Sequence, residues 1–407
     1  MRLFMAIATL LLAAMALTAC GRDTAPAAGE PSPQATAAQV AAGAASVATP
    51  VAPTVAPTAS SEPTVTATRP PTATPAATTT PTATPEPPLQ VIRLTDGGCC
   101  TQPFWSPDSQ EVRFIDRPAQ DQPVGIWGAP IDAPLAAPQF VTDRLEESTA
   151  SPRYLIETGG DVTVIERRGD GERWTVPAGG RNVLISPDET RIVWTSTNSD
   201  APSSDQVATL WLANLDGSDA QQLATLPRGG LSGWIDDTTL LISGRDSQEA
   251  REQVLSAYSL ADGSRVELAR AERLRGQALS PSGRWLVYTI TFDADRARNG
   301  LWVVRTDGGQ STHLGDNLFG SYQWRPCAAR CAPEDDRLVI VPMEIDAPLH
   351  WLVELNPASG QVRQLTDPAV TPFKIANGDW RISPDGSQMA FVESSDHNIW
   401  VMALGER

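Results

Sequence analysis

Three histidines, His313, His350 and His397, are the only imidazoles from which this chain could build a general base or a histidine-rich metal site. His313 falls in a predicted outer strand and His350 in a predicted third strand, positions that suit surface side chains better than ligands; His397 alone sits in a loop. Gly230-Leu231-Ser232-Gly233 approaches a nucleophile elbow, but the next residue is Trp234 and no α/β hydrolase domain follows. The sequence holds no phosphate-binding glycine loop and no metal-ligand spacing. No catalytic residue, metal or cofactor is therefore expected.

A second set of side chains could bind rather than react. Between short apolar runs lie Asp116 and Arg117; Asp200 and Asp205; Arg245, Asp246 and Glu249; Asp293, Asp295 and Arg296; Glu344 and Asp346; and Asp396 beside His397. If these runs are strands, all these loops emerge on one face. That face would suit a basic protein segment, a cation or a polar glycan. Ordinary solvated loops, which are rich in Asp and Ser, are the competing reading.

The elements that would position them are repeats. Trp105-Ser106-Pro107-Asp108, Ile185-Ser186-Pro187-Asp188, Leu279-Ser280-Pro281-Ser282-Gly283 and Ile382-Ser383-Pro384-Asp385-Gly386 are variants of one phrase. Proline presets φ, Asp bonds its own backbone and Gly accepts positive φ, so each is a turn. Short apolar strands follow each turn, and self-similarity at this period predicts four-stranded blades of a β-propeller. The inner-strand anchors Trp105, Ile185, Trp234, Leu279, Trp324 and Ile382 are spaced 80, 49, 45, 45 and 58 residues apart. Blades run roughly 40 to 50 residues, so the long first gap must hold another. Tyr154-Leu155-Ile156, Val162-Thr163-Val164-Ile165 and Trp174-Thr175-Val176 supply a degenerate one. Seven blades are expected, with six and eight as alternatives. The last repeat stops after three strands, and Val91-Ile92-Arg93-Leu94-Thr95-Asp96 matches the missing outer strand. An N-terminal strand completing the C-terminal blade would close the ring and hide two sheet edges.

The Ser-Pro-Asp-Gly turn, the apolar strand after it and the aliphatic-Trp pair beyond resemble TolB-type (WD40-like) propeller repeats. The resemblance covers residues 89–407 and implies an all-β, single-propeller fold. It implies no particular function: such repeats occur in periplasmic TolB and in the propellers of prolyl-oligopeptidase-like peptidases, whose catalysis lies in a domain this chain lacks. Some TolB-like propellers are lyases with a channel-bound metal.

Residues 1–20 read as a lipoprotein signal peptide. Arg2 precedes an apolar run from Leu3 to Leu17, and Leu17-Thr18-Ala19-Cys20-Gly21 resembles a lipobox, with Cys20 the lipidated residue. Residues 21–88 are rich in Ala, Pro and Thr and cannot bury a core. As an extended tether they would span about 200 Å at ~3.1 Å per residue. The other cysteines form two local pairs, Cys99-Cys100 and Cys327-Ala328-Ala329-Arg330-Cys331. The first enters an inner strand and the second leaves one, which places the pairs on opposite faces and disfavours cross-pairing. A Cys327–Cys331 bridge and a strained vicinal Cys99–Cys100 bridge are expected in an exported chain, with zinc as the rival for these thiols.

The formal net charge is −17, and residues 1–88 contain three Arg against four acids, so nearly all the excess lies in the propeller. That balance argues against nucleic acid or an anionic membrane as a ligand of the domain. Together these features predict a monomeric, extracytoplasmic propeller held to a bacterial cell or outer membrane through Cys20. It would bind a protein or cell-envelope partner without catalysis. The alternatives are a carbohydrate-active lyase or hydrolase with a channel site, and a solute-sensing accessory of a membrane complex.

Overall fold

The computed structural model describes residues 89–406 except 99–101, 146–152, 199, 203–204, 316–319, 328–330 and 343–346. The signal peptide, Cys20, the tether, Cys99, Cys100, Glu344 and Asp346 thus lie outside the described residues.

Seven antiparallel sheets follow one another along the chain as the blades of a β-propeller. Their strands span residues 104–142 (blade 1), 154–176 (blade 2), 184–227 (blade 3), 230–271 (blade 4), 274–315 (blade 5), 320–364 (blade 6) and 375–403 (blade 7). Six sheets have four strands and blade 2 has three. The three are those anticipated, Tyr154–Gly159, Val162–Arg167 and Arg173–Val176. Thr163 Oγ1 donates to Arg181 O at 2.7 Å, tying the turn at Gly160 to the link into blade 3. These strands therefore correspond to the second, third and fourth of the other blades. The outermost strand of blade 7 is Val91–Arg93, with Val91 opposite Met402 and Arg93 opposite Trp400. The ring closes as the sequence predicts.

The repeated phrase has a common hydrogen-bond pattern. Buried Ser106, Ser186 and Ser383 each donate Oγ–H to the Asp two residues on, at 2.6 Å. Each Oγ also accepts the backbone N–H five residues on, from Glu111, Arg191 and Gln388, at 3.0 Å. The turn thereby satisfies a hydroxyl that would be costly to bury alone. Blade 5 has Ser282 where the Asp belongs. Its carboxylate comes from the next blade: Asp336, fully buried, accepts from Ser282 N at 3.2 Å and Ser282 Oγ at 2.5 Å. Asp336 ends the insertion that replaces the turn of blade 6. A Cys327–Cys331 disulfide closes the start of that insertion, with the Cα atoms 5.5 Å apart.

Indole groups clasp neighbouring blades. Trp105 Nε1 donates to Arg381 O of blade 7, Trp234 Nε1 to Leu184 O of blade 3 and Trp324 Nε1 to Ala278 O of blade 5, all at 2.9–3.0 Å. In each case an inner-strand Trp reaches the blade before its own. Among the described residues, buried apolar clusters join blades 2 and 3, 3 and 4, 4 and 5, 5 and 6, 6 and 7, and 7 and 1. Apolar side chains on both faces of each sheet are thus removed from water by radial stacking, the main driving force for such a ring.

At the junction of blades 6 and 7, Arg325 and Glu354 form a buried ion pair of 2.9 Å. Arg325 also donates to Gly386 O at 2.6 Å and Gly405 O at 2.5 Å, both beyond its own blade. The second Glu354 oxygen accepts from Arg363 at 3.0 Å.

Candidate functional site

The loops between second and third strands carry the acidic and basic side chains singled out in the sequence, and most are already engaged. Asp116 closes its strand and accepts from Arg117 N at 2.7 Å; the Arg117 guanidinium turns back onto Gln120 O and Gln122 O. Asp396 accepts from Asn398 N at 2.9 Å and from Trp400 Nε1 at 3.3 Å, with Arg93 at 3.4 Å. Burial pushes its carboxyl up, but these N–H donors and Arg93 outweigh it and hold the group below the usual range.

The loops of blades 4 and 5 differ because they are joined to each other. Asp293 accepts from Asp295 N at 3.0 Å and pairs with Arg298 at 3.3 Å. Asp295 caps the 3-10 turn Arg296–Arg298 through Ala297 N. From that turn Arg298 donates to Arg270 O and stands 3.9 Å from Glu252. Asp246 pairs with Arg270 at 2.5 Å, and this hydrogen bond holds its carboxyl below the ordinary range. Arg245 donates Nη1 to Ala250 O at 2.8 Å. Arg296 is exposed. Of the expected set, then, Arg245, Asp246, Asp293, Asp295 and Arg296 lie in two loops that Arg298 joins by reaching Arg270 O and Glu252. Asp116 with Arg117, and Asp396, each belong to separate loops.

Sequence reasoning missed Phe292. Its side chain is 76% exposed at the crest of the blade 5 loop, and its φ is 54°. Arg273 lies over the ring, 5.2 Å from its centroid. A lone aromatic between Thr291 and Asp293, in a loop otherwise of Asp, Ala, Arg and Asn, was the available signal.

The three histidines lie on three blades. His313 stacks on Trp302 in an outer strand, with centroids 4.4 Å apart, and its Nε2 lies 2.9 Å from Asn299 O. His350 is not in the third strand, which begins at Val353; it belongs to the loop before it. The reason is its bonding, since its backbone N–H goes to Phe373 O on the link into blade 7 and its Nδ1 accepts from Ile375 N at the start of that blade's first strand. Burial, then Lys374, pushes its imidazole below the usual range, consistent with that acceptor role. His397 occupies a turn with φ 53°. Among the described residues, no three His, Cys, Asp or Glu side chains are grouped to hold a metal ion.

No protein-family model matches the chain. No curated protein matches it either. Solved structures do. An oligogalacturonate lyase in complex with manganese is similar over 78% of this chain and 97% of its own, with 13% identity and a TM-score of 0.48. The β-propeller domain of the Trilobed protease from Pyrococcus furiosus is similar over 78% and 83%, with 11% identity and a TM-score of 0.41. TolB from Acinetobacter baumannii is similar over 74% and 78%, with 11% identity and a TM-score of 0.37. The assignment as a seven-bladed β-propeller rests on the sheets themselves.

Proposed function

We propose that this protein is a non-catalytic, lipid-anchored, extracytoplasmic propeller that docks a protein or cell-envelope partner through the joined loops of blades 4 and 5. The observation that carries this reading is Phe292. An aromatic left largely in water forgoes the stabilisation of burial, and a left-handed backbone at a bulky residue adds strain. Aromatic side chains of this kind are the usual energetic centres of binding surfaces. Asp293 and Arg298 fix the loop that presents it, so little ordering remains to be done when a partner arrives. The lipobox at Cys20 and the long Ala/Pro/Thr segment support the location, and the acidic balance favours a partner segment with basic side chains.

The test is capture of solubilised envelope proteins by the immobilised chain, read by mass spectrometry. A partner enriched by the native chain should be lost with Phe292→Ala and retained with Phe140→Ala, an aromatic on the outer strand of blade 1. Equal capture by both variants would remove this face from the reading. Labelling with a radioactive fatty acid should mark the native chain and not Cys20→Ala, and labelling of both would remove the anchor.

A further inference from the structure

A cleft of about 170 Å³ opens between blades 3 and 4, lined by Leu226 from the outer strand of blade 3 and by side chains of blade 4. Register places Ile242, Ser256 and Glu267 side by side across three strands of blade 4. Leu226, Ile242 and Val254 make an apolar floor, and Arg245, Arg265 and Arg270 stand around it with Asp246 and Glu267. Three cations against two anions leave one positive charge in a chain whose net charge is −17.

Both acids pair with Arg270, and Asp246 also feels the charge of Arg265. Arg270 pairs with Asp246 at 2.5 Å and with Glu267 at 2.7 Å. Among the described residues Arg245 makes one side-chain hydrogen bond, from Nη1 to Ala250 O; its Nε is sealed from solvent, which leaves the Nη2 end of the fork to meet a ligand. Arg265 lies over the Tyr258 ring, 5.7 Å from the centroid, and carries no ion pair among the described residues. A guanidinium fork with unused donors at the edge of an apolar floor is the arrangement that receives a planar carboxylate.

We propose that this cleft binds a monocarboxylate carried on a short apolar body, the carboxylate spanning Arg245 and Arg265 and the body resting on Leu226, Ile242 and Val254. One net positive charge matches one negative charge, whereas a dianionic phosphate would leave charge uncompensated in a half-enclosed site. The apolar floor selects against a bare ion such as formate, because only an apolar body gains by covering it. The cleft shares Arg245, Asp246 and Arg270 with the blade 4 side of the joined loops, but Phe292 and the blade 5 loop do not line it.

The test uses butyrate, its neutral isostere butyramide and inorganic phosphate, each titrated calorimetrically into the chain. Butyrate should bind saturably, and butyramide and phosphate should not. Arg265→Gln, at an exposed position that leaves the core intact, should weaken butyrate at least about tenfold, as loss of a charge-assisted hydrogen bond would. Arg381→Gln on blade 7 and Phe292→Ala should bind butyrate like the native chain. Absence of saturable butyrate binding would overturn the proposal, as would equal binding of butyramide, tighter binding of phosphate, or an unchanged affinity in Arg265→Gln. None of these outcomes bears on docking at Phe292.

Discussion

The junction between blades 6 and 7 and the junction between blades 1 and 2 are both written in arginine and glutamate, and the two are built oppositely. At the first, Arg325 and Glu354 are 3% and 4% exposed, and Glu354 stands opposite Val339, a member of the buried apolar cluster that joins these blades. Every oxygen of Glu354 has a guanidinium partner, and Arg325 binds two carbonyls of blade 7 besides. At the second, Arg144 and Arg173 share Glu157 and Glu166 in a four-membered ring of charge, with exposures between 20% and 50%. None of the buried apolar clusters among the described residues spans blades 1 and 2. The same residue types fix position where they are desolvated and do little where water competes for them.

The largest effect that would break this contrast is expected at Glu354. Glu354→Ala removes the carboxylate that Arg325 and Arg363 both bind, at a site where Arg325 is buried, and should cost about 3–5 kcal/mol in denaturant unfolding. A loss as small as that of a surface pair would mean that the seam relaxes and admits water.

Next comes the shared carboxylate beside the seam. Asp336→Ala removes the buried carboxylate that accepts from Ser282 N and Oγ and should cost about 2 kcal/mol. Ser282→Asp in that background restores the turn as blades 1, 3 and 7 have it, and should recover much of the loss. Ser282→Asp alone places two carboxylates together and should destabilise. Recovery that fails would show that Asp336 serves the insertion rather than the turn of blade 5.

Acid sensitivity should follow the turns. Burial pushes the Asp385 carboxyl up, but donors from Ser383 and Ser387 outweigh it and hold it below its ordinary value. A folded value below the unfolded one, about 3.9, means that its stabilisation is complete above that pH. The stabilisation is lost as pH falls through the folded value. Melting temperature should therefore be insensitive to Asp385 from neutrality to about pH 4, and Asp385→Asn should flatten the decline below it.

The smallest effect belongs to the other junction. Glu157→Gln should cost no more than about 1 kcal/mol, and added salt should shrink the difference. A larger and salt-insensitive loss would erase the distinction between the two junctions.

The fold was legible because the Ser-Pro-Asp turns recur with one backbone chemistry, so blade order, the completing strand Val91–Arg93 and the Cys327–Cys331 bridge could be read from local phrases. What could not be read depends on contacts between blades. Nothing near Ser282 says that Asp336 will complete its turn, and nothing near Arg325 says that Glu354 will meet it. At the candidate site, the loops and their charges were foreseeable. The pairing of Asp293 with Arg298 inside one loop, and of Asp246 with Arg270 on the outer strand of the same blade, was not, because such side-chain pairs depend on local geometry and carry no sequence period. Phe292 escaped notice because searching loops for charge passes over an aromatic. His350 was misplaced because its partners, Phe373 and Ile375, lie on the following link and at the start of the next blade.

Pairing Val91 with Met402 also sets a kinetic condition. Two segments separated by almost the whole domain must meet before the seventh sheet has its outer edge, so this contact carries the largest loop-closure entropy in the molecule. Until then the strand Ile399–Ala403 has an open side, ready to accept a strand from another chain. A newly made copy is therefore most prone to swap strands with its neighbours late, when six blades are complete and only the latch is missing.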